Sequence, residues 1–118
     1  MDINKAKAYC RALPGATEDI KWENNLVFSV GEKMFAVMGA DGHQRGISLK
    51  VDDDRFLELT DRPGIIPAPY LARAKWVRIE DAKAVSDAEA AGLLQRSYEL
   101  VFAKLTRKLQ RQLQGSST

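Results

Sequence analysis

The feature that most constrains this chain is a change of hydrophobic period partway along it. Between residues 26 and 51 apolar side chains recur every second residue: Leu26, Phe28 and Val30, then Met34, Ala36 and Met38, then Ile47, Leu49 and Val51. On either side the apolar spacing becomes three and four. Strands present alternate residues to one face, whereas helices align residues three and four apart. The middle of the chain is therefore expected to be a sheet and its ends helices. Turn chemistry divides the sheet. Asn24-Asn25 reads as a tight turn because asparagine tolerates positive φ. Gly31-Glu32 suits a two-residue hairpin loop with glycine first. Strands are expected over Glu18 to Trp22, with Ile20 and Trp22 on one face, then over 26–30, Lys33 to Met38 and 47–51. In the third, Phe35 and Val37 should face away from Met34, Ala36 and Met38.

The flanking helices follow from caps and breakers. Asp2 can cap a helix whose face is Ile3, Ala6, Cys10 and Leu13, and Pro14-Gly15 stops it. Asp52 to Leu59 predicts a short helix, its acidic start suiting the helix dipole. The three prolines and one glycine of Pro63 to Pro69 read as ordered loop. Trp76, Val77 and Ile79 mark a fifth strand, where Trp76 should be more than half buried. Ser86 or Asp87 caps a long final helix with the stripe Leu94, Tyr98, Val101, Leu105 and Leu109. The order α-β4-α-β-α predicts the α+β class: an antiparallel β-sheet with an N-terminal, a short middle and a long C-terminal helix. One domain is expected over 1–114, with a flexible tail at 115–118.

Composition excludes several functions. The chain has 118 residues, 45% hydrophobic. No apolar run approaches the ~20 residues of a membrane span. The N-terminus has no apolar core of a signal peptide. A cytoplasmic protein without membrane contact is expected. A lone cysteine, Cys10, cannot form an intrachain disulfide, and it sits on a helical apolar face as a small hydrophobe. One cysteine and one histidine, His43, do not make a structural zinc site, so no metal or cofactor is expected. The consecutive Asp52, Asp53 and Asp54 lack the alternating pattern of a calcium loop. No nucleophile elbow, Walker loop, dinucleotide fingerprint or zincin motif occurs, so a non-enzymatic protein is expected.

Net charge is +2 and the pI about 8.8, mildly basic, but the distribution is uneven. Lys104, Arg107, Lys108 and Arg111 fall at helical spacing on one face of the final helix and could track phosphates. They also fit an ordinary account, since cations near a helix C-terminus complement its dipole. The glycine-bounded segment Gly39–Gly46 carries His43, Gln44 and Arg45. It could act as a wing against a nucleic-acid backbone, or be a loop and nothing more. In Tyr70-Leu71-Ala72-Arg73-Ala74-Lys75-Trp76 aromatic and basic residues interleave. With Trp22 and Lys50 on the same side of a sheet, they would suit base stacking or an anion pocket; alternatively the tryptophans are core.

Several short runs together resemble one family. Leu13-Pro14-Gly15-Ala16-Thr17-Glu18, Lys21-Trp22, Lys33-Met34-Phe35-Ala36, Ile47-Ser48-Leu49-Lys50-Val51, Pro63-Gly64, Pro69-Tyr70, Lys75-Trp76-Val77, Ser97-Tyr98-Glu99-Leu100-Val101 and Lys104-Leu105 resemble, in that order, the MmcQ/YjbR family of small bacterial proteins. The resemblance implies a CyaY-like α+β fold and a DNA-binding protein of double-wing type; it implies no enzymatic activity. The candidate contacts are Lys33, Arg45, Lys50, Tyr70, Arg73, Lys75, Trp76, Lys104, Arg107 and Arg111. The expected partner is DNA, held through its phosphates; the alternative is an adaptor or a module for a small anionic ligand.

Overall fold

The computed structural model describes residues 1–22, 24–39 and 46–115. Helix α1 (Ile3–Ala12) starts where the Asp2 carboxylate accepts the N–H groups of Asn4 and Lys5, which satisfies two donors that a helix start leaves free. Strands β1 (Ala16–Lys21), β2 (Asn25–Val30), β3 (Lys33–Gly39) and β4 (Ile47–Lys50) follow, then α2 (Asp53–Thr60), β5 (Ile65–Pro67), β6 (Trp76–Ile79), α3 (Asp87–Phe102) and α4 (Arg107–Gly115). The six strands form one antiparallel sheet in the order β1-β2-β3-β4-β6-β5. The α+β class and the antiparallel sheet stand as expected. Among the described residues no helix is long and apolar enough to cross a membrane.

Registry assigns the two faces. Leu26, Met38, Ile47, Ile79 and Ile65 lie opposite one another across five strands, and Phe28, Ala36, Leu49 and Val77 form the next row. These rows join Cys10 of α1, Leu59 of α2 and Leu94, Tyr98 and Val101 of α3 in one hydrophobic cluster. The helices therefore cover this face. The opposite row runs Asp19, Val27, Val37, Ser48, Arg78 and Ile66. The β2–β3 hairpin closes through Gly31 and Glu32, both at positive φ, as the twist-matched two-residue turn requires.

Four local features differ from the sequence expectation. Pro63 to Pro69 holds a short strand, β5, because Ile65 and Pro67 bring apolar surface alongside β6. A bulge between Phe28 and Ser29 of β2 and the facing β3 leaves Phe35 without a partner. An extra residue reverses the local alternation, so Phe35 is fully buried beside Ala36 and meets Tyr98 edge to face at 5.5 Å. The β1–β2 turn is made by Trp22 (φ 50), and Asn25 already belongs to β2.

The fourth is the final helix, which is two. Carbonyls of Phe102 and Leu105 accept from the Gln110 side chain, and the Thr106 hydroxyl accepts the N–H of Leu109. The chain thus stops one helix and caps the next without glycine or proline. The bend lets Leu105 and Leu109 lie on the Gly31 turn and Leu113 on Gly15. A Cβ at Gly31 would fall 2.7 Å from a Leu105 methyl, and φ there is +57°, so any other residue would have to displace these leucines and adopt a strained backbone. Of the expected tail, Gly115 ends α4 and residues 116–118 lie outside the described residues.

Candidate functional site

Antiparallel registry decides which candidate residues meet. Lys33 opens β3 opposite Val30, and Lys50 closes β4 opposite Trp76, which opens β6. These three positions share one end of the sheet. The loop carrying Tyr70, Arg73 and Lys75 is tied to the same end, since Trp76 donates its N–H to the Leu71 carbonyl and accepts from Ala68. Lys104 follows α3 at this end, and α4 lies across it on Gly31 and Gly15, presenting Arg107, Lys108 and Arg111 as exposed side chains. Lys33, Lys50, Tyr70, Arg73, Lys75, Trp76, Lys104, Arg107 and Arg111 are thus brought to one margin of the molecule.

Lys50 is the best-defined member. Its backbone N–H donates to the Ser97 hydroxyl at 2.9 Å, and that hydroxyl donates to the Phe35 carbonyl at 2.7 Å. Its ammonium donates to the carbonyl of Ala74. Partial burial holds the Lys50 pKa below the ordinary lysine value, and the nearby Lys104 ammonium lowers it further, against a smaller opposing effect of Asp53. Two like charges this close raise the cost of keeping both protonated. The cleft between them, about 430 Å³, is lined by Lys50, Val51, Asp52, Asp53, Asp54, Leu100 and Lys104. Asp52 is engaged by the Arg96 guanidinium at 3.0 Å, which holds its carboxyl below the usual range.

The break before α4 changes the meaning of the basic stripe. Lys104 does not share a helix with Arg107, Lys108 and Arg111. Arg107 and Lys108 instead occupy the first turn of α4, where no acidic residue is present. A helix N-terminus carries partial positive charge, so cations there are disfavoured. The dipole account, which required a helix C-terminus, does not apply to them. Among the described residues none of Lys33, Lys104, Arg107, Lys108 or Arg111 forms an ion pair, whereas Lys5, Arg11, Arg55, Arg62 and Arg96 all do.

The aromatic candidates divide. Trp76 is only 5% exposed and Tyr70 is fully exposed. Trp76 packs the loop and has no free face for stacking, so Tyr70 is the aromatic available at this margin. Tyr70 and Lys75 both have positive φ, at 66° and 63°, a conformation that costs a non-glycine residue energy. The Lys75 ammonium lies 5.1 Å above the Phe56 ring, a cation–π contact. Trp22 is not beside Lys50: it lies in the turn after β1, at the opposite end of the sheet, and is 63% exposed. Arg45 and His43 lie outside the described residues. Gly39 and Gly46, which flank them, stand at that opposite end too.

Ser97 and the Ala74 carbonyl are the parts that sequence reasoning missed. Ser97 was one polar residue inside an apolar helix face, a signal for a buried hydrogen-bonding role that spacing alone does not interpret. Cys10 is fully buried, and burial pushes its thiol up to about 12 despite the opposing charge of Arg11. It therefore lacks the thiolate a nucleophile needs. Among the described residues no group of three histidine, cysteine, aspartate or glutamate side chains could hold a metal ion.

Fold and site together define a small α+β protein whose antiparallel sheet is backed by helices on one face and ends in an unpaired basic margin. The family model of YjbR matches residues 11–100, and the chain belongs to the YjbR family. It is similar to the crystal structure of a Deinococcus radiodurans protein with the family domain DUF419, with a TM-score of 0.84 and 29% identity over 95% of this chain and 87% of that one. It also shares its fold with a Pseudomonas syringae protein, with a TM-score of 0.68 and 23% identity over 86% of this chain and 99% of that one. No curated protein matches significantly.

Proposed function

We propose that this chain is a non-catalytic cytoplasmic protein that binds nucleic acid, DNA in the first instance, through phosphate contacts along the basic margin of its sheet. One observation carries the proposal: Lys33, Lys50, Lys104, Arg107, Lys108 and Arg111 gather at one end of the molecule without ion-pair partners among the described residues. Folding gains little from such crowding, and a polyanion would relieve it by exchanging its condensed counterions for protein cations. The exposed Tyr70 supplies a face for stacking on an unpaired base. A small anionic ligand is the second reading, favoured by the Lys50–Lys104 cleft, although the aspartates on its wall oppose an anion there.

The test is fluorescence anisotropy with a labelled duplex at two or more salt concentrations. Binding through phosphates should weaken steeply with salt, each contact contributing about 0.9 to the log–log slope. Reversing Arg107, Lys108 and Arg111 together to glutamate should lower that slope by roughly 2–3 and weaken unrelated sequences alike. Absence of binding at low salt and high micromolar protein would sink the nucleic-acid proposal. A wild-type complex indifferent to salt would equally overturn binding through phosphates.

A further inference from the structure

The two edges of the sheet are not alike. β5 is three residues long and ends in Pro67, which has no N–H to offer a further strand. β1 is six residues long, contains no proline or glycine, and is exposed from Thr17 to Lys21. It also carries Ile20, 59% exposed, with Trp22 just beyond at 63%. The edge therefore mixes one large exposed apolar side chain with Glu18, Asp19 and Lys21, and the backbone groups along an edge strand are a template for pairing with a further strand.

One hydrogen bond shows which groups face outward. The Ile20 N–H donates to the carboxylate of its own neighbour Asp19 at 2.9 Å. It therefore points away from β2, to the free edge, and in an antiparallel strand the Ile20 carbonyl points the same way.

We propose that β1 is a self-recognition edge, through which two copies of this chain join their sheets antiparallel about a two-fold axis at Ile20. In that register the two Ile20 residues exchange N–H···O=C bonds and their side chains meet. Asp19 of each copy then lies opposite Lys21 of the other, giving two opposite-charge pairs related by the axis. Neither Asp19 nor Lys21 has an ion-pair partner among the described residues. Axes through Glu18, Asp19 or Lys21 would instead set identical charges face to face, which destabilises a cross-strand pair. Among the axes from Glu18 to Lys21 the charge pattern favours the one at Ile20, and the Asp19–Lys21 complementarity it creates is the reason a second copy is the proposed occupant. An edge contact of this length falls below about 1,200 Å² of buried area, the range of weak, reversible association.

Sedimentation equilibrium on the full chain up to about 1 mM tests this. The wild type should form dimers as concentration rises. Ile20→Lys should raise the dissociation constant at least about tenfold, because two lysines then meet on the axis. Asp19→Lys alone and Lys21→Asp alone should each weaken association about tenfold, and the double exchange should restore it to within about threefold. All three positions are exposed, and circular dichroism confirms that each variant is folded. A wild type that stays monomeric throughout overturns the proposal and leaves β1 an edge for another protein's strand. A dimer insensitive to Ile20→Lys, or a double exchange no better than its single components, overturns it equally.

Discussion

Replacing Ser97 with alanine tests the join between the α3 helix and the site most directly. Ser97 is the one buried polar residue among the described residues, with no exposed surface. Its hydroxyl donates to the Phe35 carbonyl and accepts the Lys50 N–H. The bulge is the reason both groups need it: Phe35 is the extra residue, so its carbonyl has no facing strand partner in the described registry. Alanine leaves a buried carbonyl and a half-buried N–H unsatisfied, each at a cost of about 1–3 kcal/mol. Taking the lower part of the range for the Lys50 N–H, the loss should be roughly 2–4 kcal/mol. That is a large fraction of the ~5–15 kcal/mol by which a domain is stable. Urea unfolding followed by tryptophan fluorescence should show a midpoint lowered by roughly 1–2 M with an unchanged slope. Hydrogen exchange at the Lys50 amide should accelerate more than at Leu49. A loss below about 0.5 kcal/mol would refute the reasoning, since it would mean that water or a shifted strand satisfies both groups.

Trp76→Ala should destabilise the fold by about 3–5 kcal/mol in urea unfolding followed by circular dichroism, as expected of a buried tryptophan; a loss under about 1 kcal/mol would mean the indole contributes little packing. Lys104→Ala should raise the Lys50 pKa toward the ordinary lysine value, read by NMR titration of the side chain. The linked stability has a definite sign. Because the folded state holds Lys50 below its unfolded pKa, the unfolded chain binds more protons between the two values, and stability rises with pH across that window. The rise should be smaller in Lys104→Ala, and an unchanged rise would mean that Lys104 does not act on Lys50.

The sequence by itself determined the class, the order of most elements and the core. Period-two alternation from Leu26 to Val51 and the helical stripe through Leu94, Tyr98 and Val101 are local consequences of which face must avoid water, so they are legible without a partner. Trp76, too, was legible as buried from its alternation with Val77 and Ile79. The candidate basic residues were visible as types, but their meaning was not. Only the tertiary structure set Lys33, Lys50, Lys104 and α4 at one end of the sheet, because antiparallel registry connects residues far apart in sequence. The division of the last helix also lay beyond local pattern. Its residues have helical spacing throughout, and the bend exists because Leu105, Leu109 and Leu113 are seated on Gly31 and Gly15, contacts between segments that no spacing within the helix encodes. That bend moves Arg107 and Lys108 from the expected end of one helix to the start of another, where the backbone dipole no longer offsets their charge.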